Sequence, residues 1–233
     1  MTTFQIKILA IATMVLDHVG AFLLPEIFIL RVIGRLSFLL FAWLLANGAQ
    51  HTKDIHTYLK RIFIFGLISQ PIFILVHKNQ DMAVWDLNIF FTLFLGLVGI
   101  IILKRVPNLI ARIFLCISLG ILAEIFCGGY SYGSYGLVAI LIFYAYYDNL
   151  KVAAALQALV IFIFYTIPLL LVYGSFFNLI QTSARVAFLQ PVALVSLLPL
   201  FLYNGKEGPK AKVFFYLFYP LHLGIIYLIL VLV

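Results

Sequence analysis

Long apolar runs alternate with short polar interruptions along the whole chain, and this pattern alone predicts its elements. A helix needs about 20 mostly apolar residues to cross a bilayer. Nine candidate runs of roughly that kind fall at 4–24, 28–47, 59–77, 87–103, 109–126, 134–147, 152–173, 185–203 and 212–232. They are continuous rather than alternating in twos, so they read as α-helices and not as the roughly ten-residue strands of a membrane barrel. The sixth is short, either little tilted or re-entrant, and Pro168 and Gly174 offer a break after 161, so the count lies between eight and ten. The loops are short, with no visible repeat and no linker. The expectation is an all-α, polytopic integral membrane helix bundle forming one domain over 1–233.

Composition sharpens this. The 233 residues are 65% hydrophobic and 10% charged, with a mean hydropathy of +1.18. Soluble domains run about 45–50% apolar and about 25% charged. A soluble globule of this size has too little interior for so many Phe, Leu and Ile side chains. Soluble, disordered and fibrous classes are excluded. Cys116 and Cys127 show no metal-ligand spacing and read as small packing residues. A removable signal peptide is not expected, because the first run has neither a basic leader nor a small-residue cleavage site.

The net charge of +7 points to topology rather than to nucleic acid, because the few charges sit between the apolar runs. Lys7, Lys53, Lys60, Arg61, Lys104, Arg105, Arg112, Lys151, Lys206, Lys210 and Lys212 fall on one side, eleven of the fifteen basic residues. Lys78 and Arg185 fall on the other, with Arg31 and Arg35 inside a run. By the positive-inside rule the amino terminus faces the cytoplasm and, with nine spans, the carboxyl terminus faces out. Trp85, Tyr130, Tyr132 and Tyr135 then form an outer aromatic belt, and CGGYSYGSYG reads as an external turn.

An ionisable side chain at the centre of a spanning helix costs at least about 2.5–3.5 kcal/mol, so each one is a functional candidate. Asp17 and His18 lie in the first run, Arg31 and Arg35 in the second, Glu124 near the outer end of the fifth and His222 near the middle of the last. At about 1.5 Å per residue, His18 lies roughly 16 Å from Lys7 and His222 roughly 15 Å from Lys212. Arg35 reaches a similar level, roughly 12 Å from the outer start of its helix. Asp17 and Arg35 come from consecutive antiparallel helices and can meet, which offsets much of each desolvation cost. Asp17 and His18 point about 100° apart, so they are not a hydrogen-bonded dyad. Asp17 is assigned the anchoring of arginine. His18 is either a packed, satisfied histidine or a neutral imidazole able to take a proton. Glu124 is equally suited to a structural or a chemical role.

The loop GAQHTKDIHTYLKRIFIFG holds His51, Lys53, Lys60 and Arg61. These are ordinary positive-inside charges or a cradle for an anion such as a nucleotide phosphate, with Lys60 and Arg61 at a helix start. No Walker A, GxGxxG, HExxH or GxSxG pattern occurs.

The runs KILAIATMVLDHVGAF and RVIGRLSFLLFAWLLANGAQHTK resemble the start of the TraX family. SQPIF, LNIFFTLFLG, YGSYGLVAIL, LYNGKEG and YLFYPLHLGIIYL follow in the family's order, so the resemblance covers nearly the whole chain. Members are described as conjugal-transfer proteins, and the named member acetylates the amino terminus of conjugative pilin. The family is in turn similar to the transmembrane acyltransferases that include the acyltransferase 3 group. The resemblance implies a bacterial inner-membrane acyltransferase that uses cytoplasmic acetyl-CoA as donor and no metal. Its partners would be acyl-CoA, the lipid bilayer and a protein, glycan or lipid acceptor.

By position, His18 matches the histidine that ends the first helix in acyltransferase 3 proteins. Lys60 and Arg61 fall where those proteins carry a basic RxxR-type element, although YLKRIF lacks the second arginine three residues on. Arg31, Arg35, His51, Asn88 and His222 lie in blocks that look like TraX signatures. On this reading His18 is a general base and His222 a second proton carrier. Arg31 or Arg35 stabilises the oxyanion or orients the acceptor, while Asp17 holds them. His51, Lys53, Lys60 and Arg61, with Lys104 and Arg105, receive the donor, and Glu124 and Asn88 face the acceptor. Two alternatives stand beside it. One is a proton-coupled transporter, disfavoured because no inverted repeat is visible. The other is a non-catalytic assembly factor of a conjugation or secretion system.

Overall fold

A computed structural model describes residues 1–78, 86–128, 131–174 and 189–232. Trp85, Tyr130 and Arg185 lie outside the described residues. The elements among those described are α1 (Thr3–Phe22), α2 (Phe28–Gly34), α3 (Leu36–His51), α4 (Ile55–Val76), α5 (Ile89–Arg105), α6 (Leu109–Cys127) and α7 (Gly133–Ala145). They continue with α8 (Leu150–Ile161), a π segment (Phe162–Thr166), α9 (Ile167–Tyr173), a 3-10 segment (Gln190–Ser196), α10 (Leu197–Phe201) and α11 (Lys212–Leu232). The described residues are helical wherever they are regular, as a polytopic membrane helix bundle requires.

Six helices are long and apolar enough to cross a membrane: Thr3–Phe22, Phe28–His51, Ile55–Val76, Leu109–Cys127, Leu150–Tyr173 and Val213–Leu232. Shorter helices hold the other expected positions: α5, the 13-residue α7, and Gln190–Phe201 within the run predicted from 185. Ile110 and Phe114 of α6 are 79% and 68% exposed. In a chain of this kind such surface is covered by lipid tails.

Local chemistry explains the boundaries. α1 opens on a capping box, Thr2 accepting from the Gln5 amide while the Gln5 side chain accepts from Thr2. Asp54, Asn88, Asn108 and Asn149 cap α4, α5, α6 and α8 more simply, each through a side-chain oxygen that accepts a backbone amide. Pro168 has no amide hydrogen to give the preceding turn, and the chain widens into the π segment just before it. Gly174, in the left-handed region, ends α9. Of the break foreseen at Pro168 and Gly174, the end at Gly174 is realised, whereas at Pro168 the helix runs on through the π segment as one span, Leu150–Tyr173. The run 28–47, expected as one helix, is one span, Phe28–His51, interrupted by a single turn residue at Arg35, whose amide folds back onto the carbonyls of Val32 and Ile33.

The chain forms two compact units, described separately: residues 1–44 with 148–210, and 45–147 with 211–233. In the first, α1 packs along α2, and α8 packs against the 3-10 segment. Ile6, Ala10, Phe38, Leu39 and Leu40 are buried there. In the second, α5 packs on α4, α6 and α7, and α11 packs on α4. Leu97, Ile100, Leu137, Ile140 and Phe143 are buried in that unit. Aromatic contacts join α11 to its neighbours: Phe65 stacks on Tyr216 at 4.9 Å, and Phe90 meets Tyr219 edge-on at 5.3 Å.

Candidate functional site

In the first unit the structure brings Asp17, Arg31 and Arg35 together. Arg35 Nη2 donates to both oxygens of Asp17, at 2.6 and 2.8 Å. Arg31 Nη1 lies 3.0 Å from Asp17 Oδ2 and also donates to the Asp17 peptide oxygen at 3.0 Å. The two arginines are one helical turn apart, so both side chains reach one carboxylate. Their side chains are 20% and 11% exposed and that of Asp17 12%, so the cluster is largely withdrawn from the surface. The three formal charges sum to plus one. A carboxylate that fixes two guanidinium groups preorganises a set of N–H donors, an arrangement suited to an oxyanion or a carboxylate.

His18 follows Asp17 on α1 and is half-buried, its ring 6.1 Å from that of Phe22. It therefore sits beside the ion cluster along the same helix while facing a different sector.

The remaining candidates belong to the second unit. Lys53, Lys60 and Arg61 are exposed around the start of α4. The amides of His56 and Thr57 at that helix start are already taken by Asp54, at 3.0 Å each. The Thr57 hydroxyl, foremost, and these amides hold the Asp54 carboxyl below its usual value of 3.8. An anion at this helix start would thus be met by the side chains of Lys60 and Arg61 rather than by those two amides.

His51 is exposed at the end of α3 and its Nδ1 lies 2.8 Å from the Asn47 carbonyl. Since a carbonyl only accepts, Nδ1 carries the hydrogen. Tyr147 donates to Asn47 Oδ1 at 2.6 Å and meets the His51 ring edge-on at 5.8 Å. Lys104 donates to the Ala49 carbonyl at 3.2 Å and lies over the Tyr144 ring. Asn47 and Tyr147 escape a sequence reading. Asn47 is signalled only as a lone amide in an apolar run, and Tyr147 by nothing local.

Asn88 is fully buried. Its Oδ1 caps the Phe90 amide at 3.0 Å, and its Nδ2 donates to the Gly66 carbonyl at 2.8 Å and to Gln70 Oε1 at 2.7 Å. Gln70 in turn donates to the Asp86 carbonyl at 2.8 Å. These bonds tie the start of α5 to the middle of α4. Glu124 is exposed near the end of α6, and its Oε2 accepts from the Ser134 amide at 2.9 Å and from the Ser134 hydroxyl at 2.5 Å. A carboxylate at the first turn of α7 suits the positive end of that helix. His222, 7% exposed on α11, lies with Nδ1 2.9 Å from the Phe218 carbonyl, its ring stacked on Phe218 and edge-on to Tyr219. The same argument puts the hydrogen on Nδ1. Among the described residues no three His, Cys, Asp or Glu side chains gather as metal ligands.

The family model described as TraX protein matches residues 3–230. The chain belongs to the TraX family. A curated relative is "Probable fimbrial assembly protein FimC, serogroup H1" of Dichelobacter nodosus. It is 28% identical over 240 residues, covering 97% of this chain and 94% of the relative. No solved structure matches the chain. TraX membership over nearly the full length encloses both the Asp17 cluster and the residues of the second unit, so all candidates lie within the family domain.

Proposed function

We propose that this TraX-family chain is a membrane-embedded acyltransferase of pilus assembly, moving an acetyl group from acetyl-CoA to an amine or hydroxyl of an acceptor at or across the membrane. The observation that carries the reading is the pair of arginines, Arg31 within α2 and Arg35 at its end, held by Asp17 of α1. Acyl transfer develops negative charge on the thioester oxygen, and fixed N–H donors placed before the reaction are an effective way to stabilise it. His18, next along α1, accepts the proton of the attacking N–H or O–H. A new C–N or C–O bond forms, the C–S bond breaks, and coenzyme A leaves as a thiolate that takes up the proton. In the second unit, taken by itself, Lys53, Lys60, Arg61 and His51 offer positive charge to an anion such as the donor, and His222 is a buried imidazole able to carry a proton. The relative's name supports a fimbrial acceptor, and an exposed subunit amine is the simplest one. Incubating purified protein with labelled acetyl-CoA and membrane extract tests this: label should pass to an extract component.

A second reading, a non-catalytic assembly factor, is favoured by the same relative's name and by the fact that an Asp–Arg clamp also fastens two helices. It predicts no label transfer and normal pilus assembly with His18→Ala.

A further inference from the structure

We infer that a crevice at the inner end of the second unit, lined by Tyr58, Arg61 and Tyr216, holds the phosphate of an anionic phospholipid whose tails run along α4 and α11. Tyr58, Arg61 and Phe65 fall at i, i+3 and i+7 of α4 and so share one face. α11 packs on α4, and there the Phe65 ring stacks on Tyr216 at 4.9 Å and 13°. Tyr58 also reaches α3. A Cβ at Gly48 would lie 3.0 Å from the Tyr58 hydroxyl oxygen, so the missing side chain there makes room for the phenol. Both tyrosines are only half-buried, although neighbouring helices close on them. They are therefore walls of a crevice rather than parts of a closed core.

The polar ends in this crevice can all donate a hydrogen bond. The Arg61 guanidinium acts electrostatically on the hydroxyls of Tyr58 and Tyr216, and that of Tyr216 on that of Tyr58, so the three groups lie within range of one another. Among the described residues no acceptor takes either phenolic hydrogen, and no carboxylate pairs with Arg61. Asp54, the carboxylate nearest in sequence, is occupied by the Thr57 hydroxyl and the amides of His56 and Thr57. A phenol withdrawn from water ordinarily finds a partner, and two beside one guanidinium suit a single group with several acceptor oxygens. A phosphodiester is such a group, and its two charged oxygens match the guanidinium fork. Depth and surroundings point to a lipid. Tyr58, Tyr216 and Arg61 lie about 4.5, 6 and 9 Å from the inner ends of their helices, the level of headgroups. Further along the same helices Ile64, Ile68, Leu217 and Leu221 are exposed, a surface for acyl tails. Lys53 and Lys60, exposed at the same helix start, favour an anionic headgroup over a zwitterionic one. Neither reading of the chain's function is needed for this site.

The test is native mass spectrometry of the purified full-length protein, delipidated in detergent and titrated with phosphatidylglycerol or phosphatidylcholine. Wild type should retain phosphatidylglycerol in preference to phosphatidylcholine. Tyr58→Phe/Tyr216→Phe keeps both rings and loses both hydroxyls. It should bind phosphatidylglycerol about tenfold more weakly, at an unchanged lipid-free melting temperature. Arg61→Gln, at an exposed position, should abolish the preference, and this arm decides the matter if the double variant folds poorly. Lys53→Gln removes the same charge from the same rim and should bind close to wild type. Undiminished phosphatidylglycerol affinity in the double phenylalanine variant, or a preference retained in Arg61→Gln, overturns the site. So does equal affinity of wild type for the two lipids. Displacement of phosphatidylglycerol from wild type by coenzyme A overturns the lipid as occupant, since a soluble phosphate compound then takes the crevice.

Discussion

Gly34 of α2 stands where Asp17 of α1 arrives. A Cβ on Gly34 would lie 2.6 Å from Asp17 Cγ, and nearer still to its Cβ and Oδ1. The missing side chain lets the carboxylate reach across, and the next residue, Arg35, closes on it. Helix contact and ion pair are thus one device, set by adjacent positions in α2.

Gly34→Ala should therefore act as an overpacking change that also spoils the Arg35 geometry. A loss of about 1–3 kcal/mol is expected from the forced separation alone. Gly224→Ala on α11 is the matched control, because among the described residues nothing beyond its own helix backbone and chain neighbours lies within 4 Å of the Cβ it would gain. Melting temperatures in one detergent should fall clearly for the first and stay nearly constant for the second.

Asp17→Asn keeps the shape and removes the charge that both arginines use. Removing one member of a buried pair costs about 3–5 kcal/mol, and the residual exposure here puts the expectation at the lower end. Adding Arg35→Gln should recover part of the loss, because the two changes act on one interaction. A double-mutant cycle measured by unfolding in detergent checks this, and strictly additive effects would contradict the coupling.

On the acyltransferase reading, His18→Ala should reduce label transfer from acetyl-CoA by about 10²–10⁴-fold, the usual contribution of a general base. Membrane insertion and melting temperature of the variant, measured alongside, separate a loss of chemistry from a loss of fold. Wild-type turnover in purified His18→Ala would remove the residue from the mechanism.

Asn88→Ala tests a structural assignment. The amide caps α5 and binds both Gly66 and Gln70, so its loss removes one cap and two tethers at once. The cap alone is worth about 1 kcal/mol. The melting temperature should drop, and amide hydrogen exchange at the start of α5 should rise before that of α7.

The meeting of Asp17 with Arg35 was legible in the sequence, because a helix advances by a fixed rise and a buried charge demands a partner. This is why Asp17 and Arg35 could be paired across consecutive helices before any coordinates. The π widening before Pro168 and the end at Gly174 lie where local chemistry put a disturbance, a missing amide and a permissive φ. The interruption at Arg35 was not legible, since its neighbours are apolar and the matching feature, Asp17, lies on another helix. The Asn47–Tyr147 bond joins residues 100 apart, and no local pattern announces it. Asn88 was assigned to the acceptor from its block, whereas its three partners within α4 and α5 emerge only from packing. Lateral neighbours, unlike spacing along one helix, are set by contacts that hydropathy does not encode.

The last prediction concerns pH and the start of α4. The Asp54 carboxyl is held below its usual value of 3.8, first by the Thr57 hydroxyl and then by backbone amides that bond to the ionised form. In the unfolded chain those partners are absent and the group titrates near its ordinary value. A carboxylate whose folded value is depressed stabilises the fold above the unfolded value, and that stabilisation fades as pH falls through the folded one. Wild type should therefore melt above Asp54→Ala at neutral pH, with the gap constant down to about pH 5 and closing below 3.8. Thr57→Val should show a smaller gap that closes over the same interval, because it removes the leading partner and leaves the amides. A gap that persisted unchanged at pH 2 would mean that the aspartate supports α4 through its neutral form, not as a charged cap.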